Sequence, residues 1–270
     1  MKNLRILVVL VFLSAVAIGC QPQSNEVQDP FENGNWVDLT HEYSEETLVW
    51  PTSDNFALDT LFVGITDGGY YYESFSFRTN EHGGTHLDAP IHFAEGRMST
   101  EELSLDQITG YAAVVDVSEN ALADRNYQVT VDDILKWEST TGQTVDGKIV
   151  LLYTGYSQFW SDAEAYMGTT LKGEEGVAAL QFPGIHPELA QWLVDNRTIK
   201  AIGLDTPSLD FGRSTDYMAH RILFDKNIPG FENIANLDQI LGKNAYIVAL
   251  PMKIKNGSGA PLRIVAFVRD

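Results

Sequence analysis

The chain has 270 residues, enough for one large domain or two small ones, and 44% hydrophobic residues with 11% aromatics supply a full core. A net charge of −19 argues against nucleic acid or an anionic membrane face as a partner, because like charges repel. A single cysteine rules out an internal disulfide, so stability must come from packing and from any bound metal.

Taken in chain order, the first residues read as an export signal. Lys2 and Arg5 lie in residues 1–5, and 6–12 form an apolar run too short to span a bilayer. The segment ends in Ala17-Ile18-Gly19-Cys20, which resembles the lipid-attachment box of bacterial lipoproteins. That resemblance implies removal of residues 1–19, a lipid on Cys20, and a protein exported and anchored to a bacterial membrane on the periplasmic or outer-membrane side. An ordinary secretory signal with an incidental cysteine is the alternative. Residues 20–34 then form the lipidated cysteine and a flexible tether, since 21–30 is polar and contains Pro22 and Pro30. The folded domain is expected over 35–270.

Residues 36–40 read as a first strand, and 47–52 as an apolar segment entering a turn at Pro51. A strand is expected over 61–65. Residues 70–78 open with three tyrosines and then alternate aromatic and polar side chains, the pattern of a half-buried strand. These aromatics fit a pocket wall or ordinary strand packing. A helix capped by Ser99 or Thr100 is expected over 101–108, and another over 130–138. The β-branched runs 112–117 and 148–153 suit buried strands. Residues 163–176, polar and glycine-rich, read as a surface loop. Pro187 opens a helix over 186–194, with His186 as its cap or a surface residue. A strand over 199–204 leads into Asp205-Thr206-Pro207-Ser208-Leu209-Asp210, and polar residues after a strand end are a common place for a site. Strands over 245–252 and 262–268 close the chain. No internal repeat or second linker interrupts this order, so it predicts one α/β domain with a mixed sheet.

The chemistry concentrates in Glu81-His82-Gly83-Gly84-Thr85-His86-Leu87-Asp88-Ala89-Pro90-Ile91-His92-Phe93. His82, His86, Asp88 and His92 share one parity, so an extended backbone would turn them to one side. Gly83-Gly84 and Pro90 argue against a helix. Neutral imidazoles with a carboxylate and no thiolate suit zinc, manganese or iron(II). The competing reading is a polar loop whose histidines cap turns. His41, alone after the first strand, reads as a surface or hydrogen-bonded residue.

This segment resembles the signature of the metal-dependent cyclase-like hydrolases, a group that includes bacterial kynurenine formamidase and isatin hydrolase. The likeness extends from Trp36 to the C-terminus through Trp50-Pro51-Thr52, the 205–210 segment and residues 220–236. It implies a compact single-domain β/β/α fold, an α/β cyclase-like architecture with a mixed sheet, and a homodimer or larger assembly. It further implies that His82, His86 and Asp88 bind a metal, that His92 transfers protons, and that His220 with Glu232, twelve residues apart, hold a second ion. Trp50 would line the substrate pocket, joined by Tyr71 and Ser208. The metal is expected to be manganese or zinc, as one ion or two.

The physical reason for a metal is plain. It lowers the pKa of bound water from 15.7 to about 7 and polarises a carbonyl. The expected activity is hydrolysis of a C–N bond in a cyclic, isatin-like amide by metal-activated water, with His92 as the proton shuttle. Two alternatives stand beside it: an arylformamidase acting on linear amides such as N-formylkynurenine, and a lipid-anchored binding protein without turnover. The expected partners are a small aromatic amide, no nucleic acid, a second copy of the chain, and a membrane only through the N-terminal lipid.

Overall fold

A computed structural model describes residues 31–269, so the export signal, Cys20 and residues 20–30 of the tether lie outside the described residues. Asn33–Asp270 makes one compact unit. Its strands are β1 (Gly34–Asp38), β2 (Ala57–Ile65), β3 (Tyr71–Arg78), β4 (His86–Asp88), β5 (Thr109–Asp116) and β6 (Gln128–Val129). They continue as β7 (Ile149–Tyr153), β8 (Gly184–Ile185), β9 (Ala201–Leu204), β10 (Gly230–Glu232), β11 (Asn244–Pro251) and β12 (Gly259–Arg269).

Eight of these form one mixed sheet in the order β1-β12-β11-β5-β7-β9-β10-β4. β5, β7, β9 and β10 run parallel, and the remaining pairs are antiparallel. β4 also pairs with β12, which closes the sheet into a barrel-like ring. The mixed sheet was expected from the sequence; its closure was not.

β7 shows how sequence sets this layout. Its Ile149, Val150, Leu151 and Leu152 are all fully buried, as a central parallel strand covered on both faces requires. Alternation sends Ile149 and Leu151 into one core with Leu87, Phe231 and Ile264, inside the ring. Val150 and Leu152 pack into a second core beneath the helices. Those helices are Val131–Thr141, Pro187–Asn196 and Met218–Phe224. Thr130 and Asp133 form a capping box at the first, and Gly142 in the left-handed region ends it. On the second, Leu189 and Leu193 lie one turn apart and are fully buried, contributing about 1.5–3 kcal/mol each. Among the described residues no helix is long and apolar enough to cross a membrane.

Three sequence expectations need correction. The 101–108 helix is broken into a 3-10 turn, Thr100–Glu102, and a short helix, Leu105–Ile108. Ser104 starts a new capping box with Gln107 and so restarts the chain. The supposed surface loop 163–176 contains helices Ala163–Met167 and Gly173–Ala179 and buries Tyr166 and Met167 in a third apolar cluster with Phe182. β3 is not half-buried. Among the described residues it pairs with β2 alone, in a two-stranded ribbon whose side chains are mostly exposed on both faces.

Candidate metal centre and active site

β4 carries the centre. Leu87 turns into the ring core, so alternation sends His86 and Asp88 to the opposite face. β10 runs antiparallel beside it with Glu232 opposite His86 and Gly230 opposite Asp88, which brings Glu232 onto the same face. His220 arrives from helix Met218–Phe224. Asp210 accepts hydrogen bonds from the backbone N–H of Ala219 (3.0 Å) and His220 (3.2 Å) and from His220 Nδ1 (2.6 Å). One carboxylate thus caps the helix start and fixes the ring.

Shared parity along β4 turns only His86 and Asp88 to one side. His82 precedes the strand in a turn, and His92 follows it in the 3-10 turn Pro90–His92. Their rings stack at 3.8 Å and 17°. Gly84 makes the turn before β4 at φ +63°, and a Cβ there would meet the Tyr43 ring at 2.8 Å. Asn233 Nδ2 donates to the Gly84 carbonyl at 2.7 Å, and Tyr166 Oη donates to Asn233 Oδ1 at 2.9 Å.

Proton counting tests whether this set fits a metal. His86 Nδ1 donates to the Gly84 carbonyl at 3.0 Å, so its Nε2 carries the lone pair. That atom is buried without a hydrogen-bond partner, 3.0 Å from Asp88 Oδ1 and 3.3 Å from Glu232 Oε2. His220 Nδ1 is committed to Asp210, so its Nε2 lone pair faces Glu232 Oε1 at 3.0 Å and Asp88 Oδ2 at 3.2 Å. Acceptors therefore face acceptors in a buried space, an arrangement that needs cations between them. Candidate ligand atoms of His86, Asp88 and Glu232 lie within 4.8 Å of one another, as do those of His82, Asp88 and His92. Asp88 belongs to both groups. The residues fit a divalent ion, and the shared carboxylate leaves room for two.

Electrostatics agree. Burial opposes charge on His86, but Asp88 and Glu232 outweigh it and push its pKa up to about 10. Burial likewise opposes charge on His220, and the bonds to Asp210, Asp88 and Glu232 raise it well above its ordinary value. Without metal, protons take the cation's place. His92 behaves differently: burial pushes it down to about 4 despite Asp88, so it is neutral at pH 7.

A cavity of about 320 Å³ opens over these groups, and its walls include Trp50, Phe93, Ser208 and Tyr217. Trp50 and Ser208, the residues expected at a substrate pocket, both line this cavity. Tyr71 does not: it is 58% exposed on the β2–β3 ribbon and contributes nothing to this cavity's lining. Its place in an alternating run did not reveal that the strand leaves the body of the domain. Sequence reasoning missed Phe93, whose ring lies 4.5 Å from His92 and 4.6 Å from His220. It also missed Tyr217, an aromatic residue held at φ +52° just before the His220 helix. Such backbone strain clusters at sites, but no sequence signal announces it. His41 stays outside the centre, stacked on Trp160 at 4.1 Å, and His186 caps its helix by accepting from the Glu188 N–H at 3.2 Å.

Comparison with known proteins agrees with the geometry. The Cyclase family model matches residues 37–211. An isatin hydrolase of Roseibium aggregatum is 28% identical over 86% of this chain and 91% of that protein. A kynurenine formamidase of Salinibacter ruber is 29% identical over 85% of this chain and 95% of that protein. The solved isatin hydrolase A of Labrenzia aggregata bound to benzyl benzoate superposes with a TM-score of 0.78 at 29% identity, covering 88% of this chain and 94% of that one. The chain belongs to the Cyclase family and is a metal-dependent hydrolase.

Proposed function

We propose that this hydrolase opens a small aromatic cyclic amide of the isatin type. One observation carries the choice of substrate. Outside the metal-binding set, the cavity lining among the described residues has no charged side chain. A linear formylated kynurenine brings a charged amino-acid end that such walls leave unpaired, whereas a neutral bicyclic lactam needs only aromatic faces and a few hydroxyls. Trp50, Phe93 and Tyr217 supply the faces, and Ser53 and Ser208 the hydroxyls. Isatin hydrolase relatives support the same choice.

His82, His86 and Asp88 would hold one divalent ion, manganese or zinc, and His220 with Glu232 would hold a second that shares Asp88. Once bound, the ion supplies Lewis-acid activation of water and of the amide carbonyl. The chain's residues do the rest. Glu232 Oε1 accepts from the Leu209 N–H at 2.8 Å, which keeps its carboxylate turned into the centre. His92 stacks on His82 at 3.8 Å and 17°, beside the centre. That geometry favours His92 as the proton carrier. In the reaction a C–O bond forms from water and the amide C–N bond breaks. His92 accepts a proton from the water and returns it to the leaving nitrogen, which a neutral imidazole can do.

A second copy of the chain completes the reading. Between residues 58 and 77 the β2–β3 ribbon exposes ten large apolar side chains, Leu61 and Ile65 at 64% and 68%. An isolated two-stranded ribbon is at best marginal in water. At roughly 100 Å² each these side chains offer on the order of 1,000 Å², above the ~800 Å² per partner of a standard interface. We assign this ribbon to a homodimer contact. Export and a lipid on Cys20 remain part of the proposal on the strength of the N-terminal pattern.

The deciding experiment compares isatin with N-formylkynurenine as substrates of the manganese- or zinc-loaded full chain. Preferential opening of isatin is expected. Preference for the formamide moves the activity to the formamidase type.

A further inference from the structure

His82 differs from the other two metal-binding histidines in what fixes its ring, and the fixing group comes from the far end of the chain. His82 Nε2 lies 2.8 Å from Ser258 Oγ, and Ser258 Oγ lies 2.7 Å from Glu81 Oε2. The Ser258 N–H donates to the same Glu81 oxygen at 3.0 Å. Carboxylates flank the ring on both sides, Glu81 through Ser258 and Asp88 directly, and with a cation beside Asp88 one arrangement satisfies both. An ionised carboxylate only accepts, so the Ser258 hydroxyl must donate to Glu81. Its lone pair is then left for His82, so Nε2 must carry the proton. Nδ1, 2.6 Å from Asp88 Oδ1, is then the nitrogen left to bind the cation. The rings of His86 and His220 are set the opposite way, with Nδ1 protonated and Nε2 turned to the carboxylates.

The backbone around Ser258 is shaped for this contact. A Cβ on Gly259 would lie 2.5 Å from His82 Cε1 and 2.9 Å from its Nδ1, and one on Gly257 would lie 2.9 Å from Glu81 Oε1. A side chain at 259 would press on the His82 ring and the Leu87 carbonyl, and one at 257 would displace the Glu81 carboxylate. The segment is tied to the centre: Gly259 pairs with Asp88, the Ala89 N–H donates to the Ser258 carbonyl at 2.9 Å, and Thr100 donates twice to the Gly257 carbonyl at 3.0 Å.

We infer that Glu81 and Ser258, seated in the Gly257-Ser258-Gly259 turn, are positioning residues that set the tautomer of His82 and make it a metal ligand through Nδ1. This rests on the metal reading above. Neighbours that fix a ligating imidazole in this way are typically worth about 10–100-fold in metal affinity. Neither residue touches the cavity, so their effect reaches substrate only through His82.

The test uses the full chain with 15N-labelled histidine, loaded with Zn²⁺, and reads the His82 ring nitrogens by long-range 1H–15N NMR. The expected result is a proton on Nε2 with Nδ1 coordinated. In parallel, Zn²⁺ affinity is measured by chelator competition for wild type, Ser258→Ala, Glu81→Ala and Ser258→Thr. A fall of about 10–100-fold is expected in the two alanine variants, with recovery in Ser258→Thr because its hydroxyl is kept. A wild-type His82 that coordinates through Nε2 overturns the inference alone, whether or not the variants fold. Unchanged affinity in a folded Ser258→Ala also overturns it. A wild type that binds no divalent ion overturns the metal reading as well.

Discussion

Asp88→Asn isolates the ion at the heart of this centre. Asp88 is 1% exposed and lies 2.6, 3.0 and 3.2 Å from ring nitrogens of His82, His86 and His220. The amide keeps the shape, removes the charge and sets N–H donors against ring nitrogens that carry protons when no metal is bound. The metal-free variant should therefore be less stable than metal-free wild type at neutral pH, and metal-dependent stabilisation should disappear. A divalent ion at roughly 100 to 1,000 times its Kd adds about 2.7–4.1 kcal/mol to a protein that binds it only when folded. At about 2–4 °C per kcal/mol for a domain of this size, wild-type Tm should rise by roughly 5–16 °C on adding Mn²⁺ or Zn²⁺. Calorimetry of chelator-stripped protein, with and without ion, measures this directly. Equal shifts in wild type and Asp88→Asn, or no shift in wild type, would refute the reasoning.

His92→Ala should lower kcat by about 10²–10⁴-fold with metal content unchanged by elemental analysis; loss of the ion would instead make His92 a ligand. Burial pushes His41 down to about 4 from 6.5, so the folded state prefers its neutral form. The sign follows: this stability is complete above pH 6.5 and is lost as pH falls toward 4, by at most about 3 kcal/mol. His41→Phe, which keeps a ring against Trp160, should flatten that acid-side loss in urea midpoints measured from pH 7 to 4, and an unchanged profile would contradict it. Leu61→Glu combined with Val63→Glu, on the exposed ribbon, should convert a dimer into monomers by light scattering. A wild type that is monomeric at micromolar concentration would remove the ribbon's assigned role.

The parts of the site that were legible in the sequence are local ones. His82, His86, Asp88 and His92 fall within eleven residues, and two glycines and a proline limit how the backbone can run between them. The strands 112–117 and 148–153 declare themselves because a largely buried strand calls for a short apolar run, Ala112 to Val115 in one and Ile149 to Leu152 in the other. What the sequence hid depends on long-range pairing. Nothing near Ser258 announces that β12 will lie beside β4, some 170 positions earlier, and so bring a serine to His82. Asp210 sits within a segment suspected on general grounds, yet its role needs the helix carrying His220 to turn back over it. The β2–β3 ribbon misled for the opposite reason. Its alternation is real, but alternation reports two unlike faces and not whether either one meets the rest of the same chain.

Metal-dependent ring opening of isatin by the full chain tests the central claim most directly. The account predicts turnover with Mn²⁺ or Zn²⁺, loss of that turnover after chelation, and its return when the ion is restored. Turnover that survives complete metal removal, or a fully loaded protein that leaves isatin intact, would contradict it.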